Sequence, residues 1–522
     1  MLRPLRYRFP EDYDIGRLMR ELADRYRVRT GRSGSETVSF HDTFDWRLYR
    51  RSLVLCTAGS RLFLRRLFEA APVQHAIVTA PPVFLRDIPD GPLRKKLSPI
   101  VDVRALRKLV ELHIRSTPYG IANHEGKTVA RILHEEIRIL PDTDARLLAE
   151  TLWWEPARGN RGESREVRRR LEEAGFVAGE EEDVFFTAMK ESGDDPGGYS
   201  TKPDIPLDPG MRSDEAVKTV LRFLLRVIRV NEENLENDMD TEFLHDYRVA
   251  LRRTRSALSQ MKRVFPAEVA RRFRKELSSV GKVSNPLRDL DVCLLHEDAY
   301  KNMLPASLRD DIDPLFEYLR KKRSRAFREV VRQGKSEKFR NLFREWDEFL
   351  QKPGTDDPTA PDAALPIRDV AQERIRKQYE RVLKEGNRVL DDPKGEGLHL
   401  LRIECKELRY LLEFFSRLFP PRKIRGRIGQ LKKLQDLLGS YNDLRVQERY
   451  LLDVARELRE TGRQGEKTPL AIGSLVGTLN REKQALQGAF AETFAEFASP
   501  ANRKTFRALF PTAPDSSGKG RS

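Results

Sequence analysis

Leu244-His245-Asp246-Tyr247-Arg248-Val249-Ala250-Leu251-Arg252-Arg253-Thr254-Arg255 is written a second time as Leu398-His399-Leu400-Leu401-Arg402-Ile403-Glu404-Cys405-Lys406-Glu407-Leu408-Arg409. In both copies one histidine and three cations stand at i, i+3, i+7 and i+10. They are His245, Arg248, Arg252 and Arg255 in the first copy, and His399, Arg402, Lys406 and Arg409 in the second. At about 100° per residue these positions fall at roughly 0°, −60°, −20° and −80° around a helix, so all four share one narrow face. The opposite face carries Tyr247, Ala250, Leu251, Leu258 and Met261 in one copy and Leu401, Leu408, Leu412 and Phe415 in the other. Each stretch therefore reads as an amphipathic helix with an apolar back and a basic front.

The two copies are offset by 154 residues, and the register extends well beyond them. The same offset pairs Arg222 with Arg376, Phe265-Pro266 with Phe419-Pro420, Arg271 with Arg425, and Asp289-Leu290 with Asp443-Leu444. A constant register over this length implies two copies of a four- or five-helix unit, packed with pseudo-two-fold symmetry. Arg222 and Arg376 are expected to line the same groove as the basic faces, with helix salt bridges to neighbouring glutamates as the competing assignment. Asp289 and Asp443 are expected to cap helices or orient arginines. Arg253 points beside the basic track.

A chain of 522 residues calls for two to four domains. Its net charge is +16 and its sequence pI about 9.6. A surplus of that size points to a polyanionic partner: nucleic acid, an anionic membrane surface or a phosphate polymer. The three cysteines, Cys56, Cys293 and Cys405, lie far apart and form neither a disulfide framework nor metal-type spacing. No signal-like apolar core and no apolar run of about 18 residues is present, so a soluble, cytoplasmic protein is expected.

Residues 1–205 are rich in turns and short β-type runs. Strands are expected at 37–40, 53–56, 61–65, 74–78, 110–115 and 128–133, and helices at about 13–28, 92–108, 143–153 and 164–174. This is an α+β domain with an antiparallel, tunnel- or barrel-like sheet. A proline-rich linker covers 206–212. From Ser213, read as a helix cap, to 510 the pattern is helical: the first copy spans about 213–351 and the second about 366–510. Breaks are expected at 352–365 and between 438 and 442, and a disordered tail over 511–522.

The order His41-Asp42-Thr43, Leu48, Leu53-Val54-Leu55 and Arg61-Leu62-Phe63-Leu64-Arg65, closed by Tyr199-Ser200-Thr201-Lys202, resembles the CYTH, or triphosphate-tunnel, family. That family opens on a glutamate-x-glutamate-x-lysine strand that holds metal and triphosphate. Here the first strand reads Leu5-Arg6-Tyr7-Arg8-Phe9, with no carboxylate. Metal-assisted phosphoryl chemistry needs clustered carboxylates, so the resemblance implies a non-catalytic relative. The repeated Leu-His-x-x-Arg-x-x-x-Arg/Lys-x-x-Arg helix resembles the CHAD family, named for a conserved histidine in an α-helical domain. So do Asn285-Pro286-Leu287-Arg288-Asp289-Leu290-Asp291-Val292 and the segment Leu434 to Leu444. This second resemblance implies two helical bundles about a basic groove, binding of inorganic polyphosphate and, in bacteria, attachment to polyphosphate granules.

Polyphosphate presents about one negative charge per unit and no base edges. Arginine offers a planar fork of donors suited to phosphate oxygens, and each histidine adds one or two N–H donors. The expected site is thus His245, Arg248, Arg252, Arg255, His399, Arg402, Lys406 and Arg409, with Arg222 and Arg376. No cofactor, metal or catalytic residue is expected. Glu135-Glu136 and Glu181-Glu182-Asp183 read as surface or strand-end acids, and neither a P-loop nor a GxSxG elbow occurs. Specific nucleic-acid recognition and membrane insertion are not expected, and the oligomeric state is left open. The competing functions are a divergent metal-dependent triphosphatase and a nucleic-acid binder.

Overall fold

The computed structural model describes residues 5–10, 13–69, 72–140, 146–179, 183–354, 356–392, 395–462 and 465–512. The expected tail from 513 onward and the acids Glu181 and Glu182 lie outside them. The chain divides into two compact units, Met1–Ser200 and Thr201–Ser522.

The first unit runs β1 (Leu5–Arg8), α1 (Ile15–Ala23), β2 (Arg27–Thr30), β3 (Gly34–Thr43), β4 (Leu53–Ala58), β5 (Arg61–Arg66), β6 (Pro72–Ile77), α2 (Pro92–Val101), β7 (Leu106–Ala122), β8 (Thr128–Leu140), β9 (Leu147–Pro156), α3 (Arg161–Glu173), β10 (Val177–Ala178) and α4 (Val184–Ser192). The strands form one antiparallel sheet in the order β10-β1-β9-β8-β7-β3-β4-β5-β6. The long β7 is flanked on one edge by β3 along most of its length and by β2 at its far end. Among the described residues the end strands β10 and β6 do not pair with each other, so hydrogen bonding does not close a barrel.

Alternation along the strands gives the sheet two different faces. On one, Val38, Phe40, Leu112 and Ile137 pack against Phe185 and Met189 of α4. Asp183 fixes the start of α4: it accepts from Phe185 N–H and takes both terminal nitrogens of Arg65, at 2.5 and 2.7 Å. On the other face, α1 and α3 cover one end, with Leu18, Leu22, Val167 and Leu171 against Tyr7, Leu152 and Trp154. α2 covers the other end. The middle of this face is polar: Arg115, Glu136 and Glu150 stand in register across β7, β8 and β9.

Of the helix expected over 143–153, residues 143–145 lie outside the described residues and 147–153 belong to strand β9. Leu152 and Trp154 are fully buried on one face, while Trp153 turns to the other and donates to Glu135 Oε2 at 2.9 Å. That is period two, in a stretch whose threonine and tryptophans favour strands. The helix expected to reach 108 stops at Val101, where Asp102 takes a positive φ of 55°.

The second unit is all-helical: α5 (Ser213–Leu235), α6 (Thr241–Gln260), α7 (Ala267–Val283), α8 (Asn285–Leu295), α9 (Glu297–Met303), α10 (Asp313–Gly334), α11 (Glu337–Gln351), α12 (Ile367–Asp391), α13 (Gly395–Phe414), α14 (Pro421–Glu460), α15 (Thr468–Gly488), α16 (Phe490–Phe497) and α17 (Pro500–Leu509). The apolar backs of α6 and α13 enter one core with α5, α7, α11, α12 and the first part of α14. A second core joins α8, α9, α10, α15 and the later part of α14. Among the described residues no helix is long and apolar enough to cross a membrane.

Helix starts recur at the 154-residue offset: Ser213 with Ile367, Thr241 with Gly395, and Ala267 with Pro421. The correspondence stops where one proline differs. Pro286 begins α8, and its missing N–H and ring clash end the preceding helix. Ser440 occupies the equivalent position, so α14 runs straight through Gly439-Ser440, where a break was expected. Ser213 does not cap α5 as expected; its hydroxyl donates to the Leu365 carbonyl at 2.7 Å. The expected linker is partly anchored, because Leu207, with Ile205 just before the linker, packs into the first helical core.

Candidate functional site

The basic faces of α6 and α13 meet. A cavity of about 480 Å³ lies between them, closed by α8 and the middle of α14. His245, Arg248 and Arg252 enter it from α6, and Arg402 and Lys406 from α13. Arg288 and Asp289 of α8 join them, as do Asn442 and Asp443 of α14. Five cations thus face two carboxylates.

Each cation is held differently. Arg248 donates through Nη1 to the Gly281 carbonyl (3.0 Å) and to Ser284 Oγ (2.7 Å), at the end of α7. Arg252 is exposed, and its Nε donates to the Tyr410 hydroxyl on α13 at 2.8 Å. Arg402 approaches Asp443 Oδ1 at 3.7 Å. His399 Nδ1 lies 2.9 Å from Asn442 Oδ1, which fixes the imidazole on α14. The scaffold beneath is a partly buried ionic lock. Arg253 Nη2 donates to Glu413 Oε2 (2.7 Å), and Arg409 Nε donates to Glu413 Oε1 (2.6 Å), so one carboxylate ties α6 to α13. Arg253 also lies over the Tyr410 ring, 5.5 Å from its centroid.

The electrostatics show too few anions. Burial first, and then Arg252 and Arg402, push the Lys406 ammonium down to about 7, with Asp443 opposing. Burial lowers Arg248 to about 10; Asp289 opposes this, and Arg252 and Arg288 add to it. Arg402 and Arg255 are lowered by the same causes, burial leading and neighbouring arginines following. Buried guanidinium nitrogens of Arg255, Arg288 and Arg402 lack hydrogen-bond partners. Crowded, partly desolvated cations of this kind are matched chemically by a multivalent anion, which would supply both charge and acceptors.

The structure brings together five of the ten expected residues, His245, Arg248, Arg252, Arg402 and Lys406, in the cavity wall. His399 stands behind it on Asn442. Arg255 lies one turn beyond, beside Arg274, and Arg409 is committed to Glu413 and Gln435. Arg222 and Arg376 do not join the site. Arg222 donates to the Leu350 carbonyl in the last turn of α11 (2.8 Å), where a cation offsets the helix dipole. Arg376 pairs with Glu380 one turn along α12, the competing assignment. Asp289 and Asp443 lie within helices and cap neither; Asp443 faces Arg402, the arginine-orienting role. Arg288 was missed because its counterpart at the 154 offset is Asn442, not a cation. It lies inside the quoted Asn285–Val292 signature, which could have flagged it.

Residues 219–452 match the family model of the CHAD domain, a family linked to polyphosphate binding. The match covers both basic helices, α8 and most of α14. No curated protein matches the sequence. Among solved structures, the CHAD domain from the plant Ricinus communis aligns over 59% of this chain and 96% of its own, at 24% identity and a TM-score of 0.44. PptA from Streptomyces chartreusis aligns over 54% of this chain and 99% of its own, at 17% identity and the same TM-score.

Proposed function

We propose that the helical unit binds inorganic polyphosphate in the cavity between α6 and α13, and that this binding places the protein on polyphosphate granules. One observation carries the reading: five cations from three helices converge on one cavity with only two carboxylates, and burial disfavours the charged forms of Arg248, Arg402 and Lys406 there. A phosphate polymer supplies the missing charge with closely spaced acceptors. Charge-assisted hydrogen bonds contribute about 1.5–3 kcal/mol each, so a few suffice for tight binding. The CHAD match over the same helices supports the assignment.

We read the helical unit as a duplicated one with a pseudo-two-fold axis. An isolated antiparallel bridge pairs Arg212 with Pro366, its own counterpart at the 154 offset. On either side, Ser213 N–H donates to the Leu365 carbonyl and Ile367 N–H to the Met211 carbonyl, two bonds that exchange under that offset. An isologous contact has this form. Under this reading Arg252 and Lys406 are equivalent positions facing one ligand. The first unit we read as a CYTH-like relative without triphosphatase activity, because β1 carries Arg6 and Arg8 where metal-binding carboxylates would stand.

Binding of labelled long-chain polyphosphate to the full chain tests the proposal. The Arg252→Ala, Lys406→Ala double variant is expected to lose at least about a hundredfold in affinity, two charge-assisted contacts, with thermal stability undiminished. Polyphosphate is also expected to displace RNA at equal phosphate concentration. Normal binding by the double variant, or failure to displace RNA, refutes the reading. Tripolyphosphate with Mg²⁺ or Mn²⁺ is expected to remain unhydrolysed.

A further inference from the structure

In the first unit, His134, Glu136 and Glu150 converge on the polar middle of the sheet. His134 and Glu136 are two residues apart on β8 and so point to the same face. Glu150 stands directly opposite Glu136 on β9. Each side chain offers one ligand atom, and the three atoms lie within 4.8 Å of one another.

Two features of the arrangement call for a cation. Glu136 and Glu150 are like charges in directly opposed cross-strand positions, which destabilises a sheet. His134 is 3% exposed, and its Nε2 is buried without a hydrogen-bond partner. That nitrogen faces Glu150 Oε1 at 3.6 Å, beyond hydrogen-bond length. Arg138 approaches Glu136 at 3.5 Å, and Arg115 stands opposite it on β7, so Glu136 has cationic neighbours. The His134 nitrogen and the Glu150 carboxylate point at each other.

We propose that His134, Glu136 and Glu150 bind one divalent transition-metal ion of the Zn²⁺ class. Imidazole nitrogen with two carboxylate oxygens suits such an ion better than Mg²⁺, which prefers an all-oxygen shell. Ligand atoms around a tetrahedral ion with bonds of about 2.0–2.2 Å stand about 3.4 Å apart. Small rotations of two flexible carboxylates bring the set to that size, and water completes it. The side chain of Glu150 is 31% exposed, so the ligand set reaches solvent through that carboxylate. The three ligands belong to the sheet, so the site is independent of polyphosphate binding in the helical unit.

The test titrates the full chain with Co²⁺, whose visible absorption reports nitrogen and oxygen coordination, and then displaces it with Zn²⁺. One equivalent is expected to bind at micromolar ion. The Glu136→Gln, Glu150→Gln double variant is expected to lose at least about a hundredfold in affinity, the upper end of what removing a supporting partner costs. Glu150→Gln alone, at a partly exposed position, serves if the double variant does not fold, with the same loss expected. Histidines and cysteines elsewhere would bind unchanged in both variants. No bound equivalent in the natural chain, or an equivalent that survives Glu150→Gln, overturns the proposal.

Discussion

Raising the pH from 6 to 9 is expected to weaken polyphosphate binding through one residue, Lys406. In the ligand-free protein, burial together with Arg252 and Arg402 pushes its ammonium down to about 7. A bound polyanion supplies the missing counter-charge and returns it toward the ordinary lysine value of about 10.4. Binding above pH 7 therefore takes up a proton. With a free-state value of about 7, roughly nine-tenths of Lys406 is neutral at pH 8, so affinity falls about tenfold from pH 6 to 8 and about a hundredfold by pH 9. Uptake of about 0.9 proton per binding event at pH 8 is the direct signature.

Stability moves the other way. Between about 7 and 10.4 the unfolded chain holds the lysine proton and the folded, ligand-free chain does not, so the contribution of Lys406 to stability rises with pH across that window. Titration calorimetry in buffers of different ionisation enthalpy measures the uptake, and thermal melts measure the stability. Lys406→Arg keeps the charge at every pH, so it is expected to flatten the profile and bind tightly at pH 9. Lys406→Met is expected to bind weakly at every pH. Proton uptake near zero at pH 8, or an unchanged profile in Lys406→Arg, refutes the reasoning.

Three further outcomes are expected. Arg222→Ala should lower stability by about 1 kcal/mol, the worth of its bond to the α11 carbonyl, and leave polyphosphate affinity unchanged; a loss of affinity in the binding assay would return Arg222 to the site. Glu413→Ala leaves Arg253 and Arg409 without their shared carboxylate and should cost about 3 kcal/mol or more in denaturant melts; a cost under about 1 kcal/mol would show that the lock contributes little to joining α6 and α13. At pH 6, five cation contacts should give a slope of log affinity against log salt of about −3.5, at about 0.7 per contact; a flat salt dependence measured by anisotropy would rule out an ionic site.

How much was legible follows from what a repeat records. The apolar backs of α6 and α13 were readable because a helix face recurs at fixed spacing, and Leu401, Leu408 and Leu412 are indeed fully buried. Matching positions, however, report a shared fold before a shared ligand. Arg222 and Arg376 match across the 154 offset, yet one serves a helix end and the other an intrahelical pair. The reverse error hid Arg288, which lines the cavity while its counterpart Asn442 supports His399. In the sheet, Glu150 meets His134 and Glu136 only through the β8–β9 register, and that register was lost once β9 was read as a helix. Matched and unmatched positions both line the cavity, so the register alone does not separate ligand contacts from scaffold. Arg252 and Lys406 occupy matching positions, and at the second of them burial and neighbouring arginines push the lysine ammonium down to about 7. The pH sensitivity of the cavity accordingly belongs to the α13 side, and exchanging the two residues, Arg252→Lys with Lys406→Arg, should move it to a position whose burial differs: Arg252 is exposed where Lys406 is half-buried. With less burial to disfavour the ammonium, the exchanged protein should hold its affinity to higher pH than the natural one.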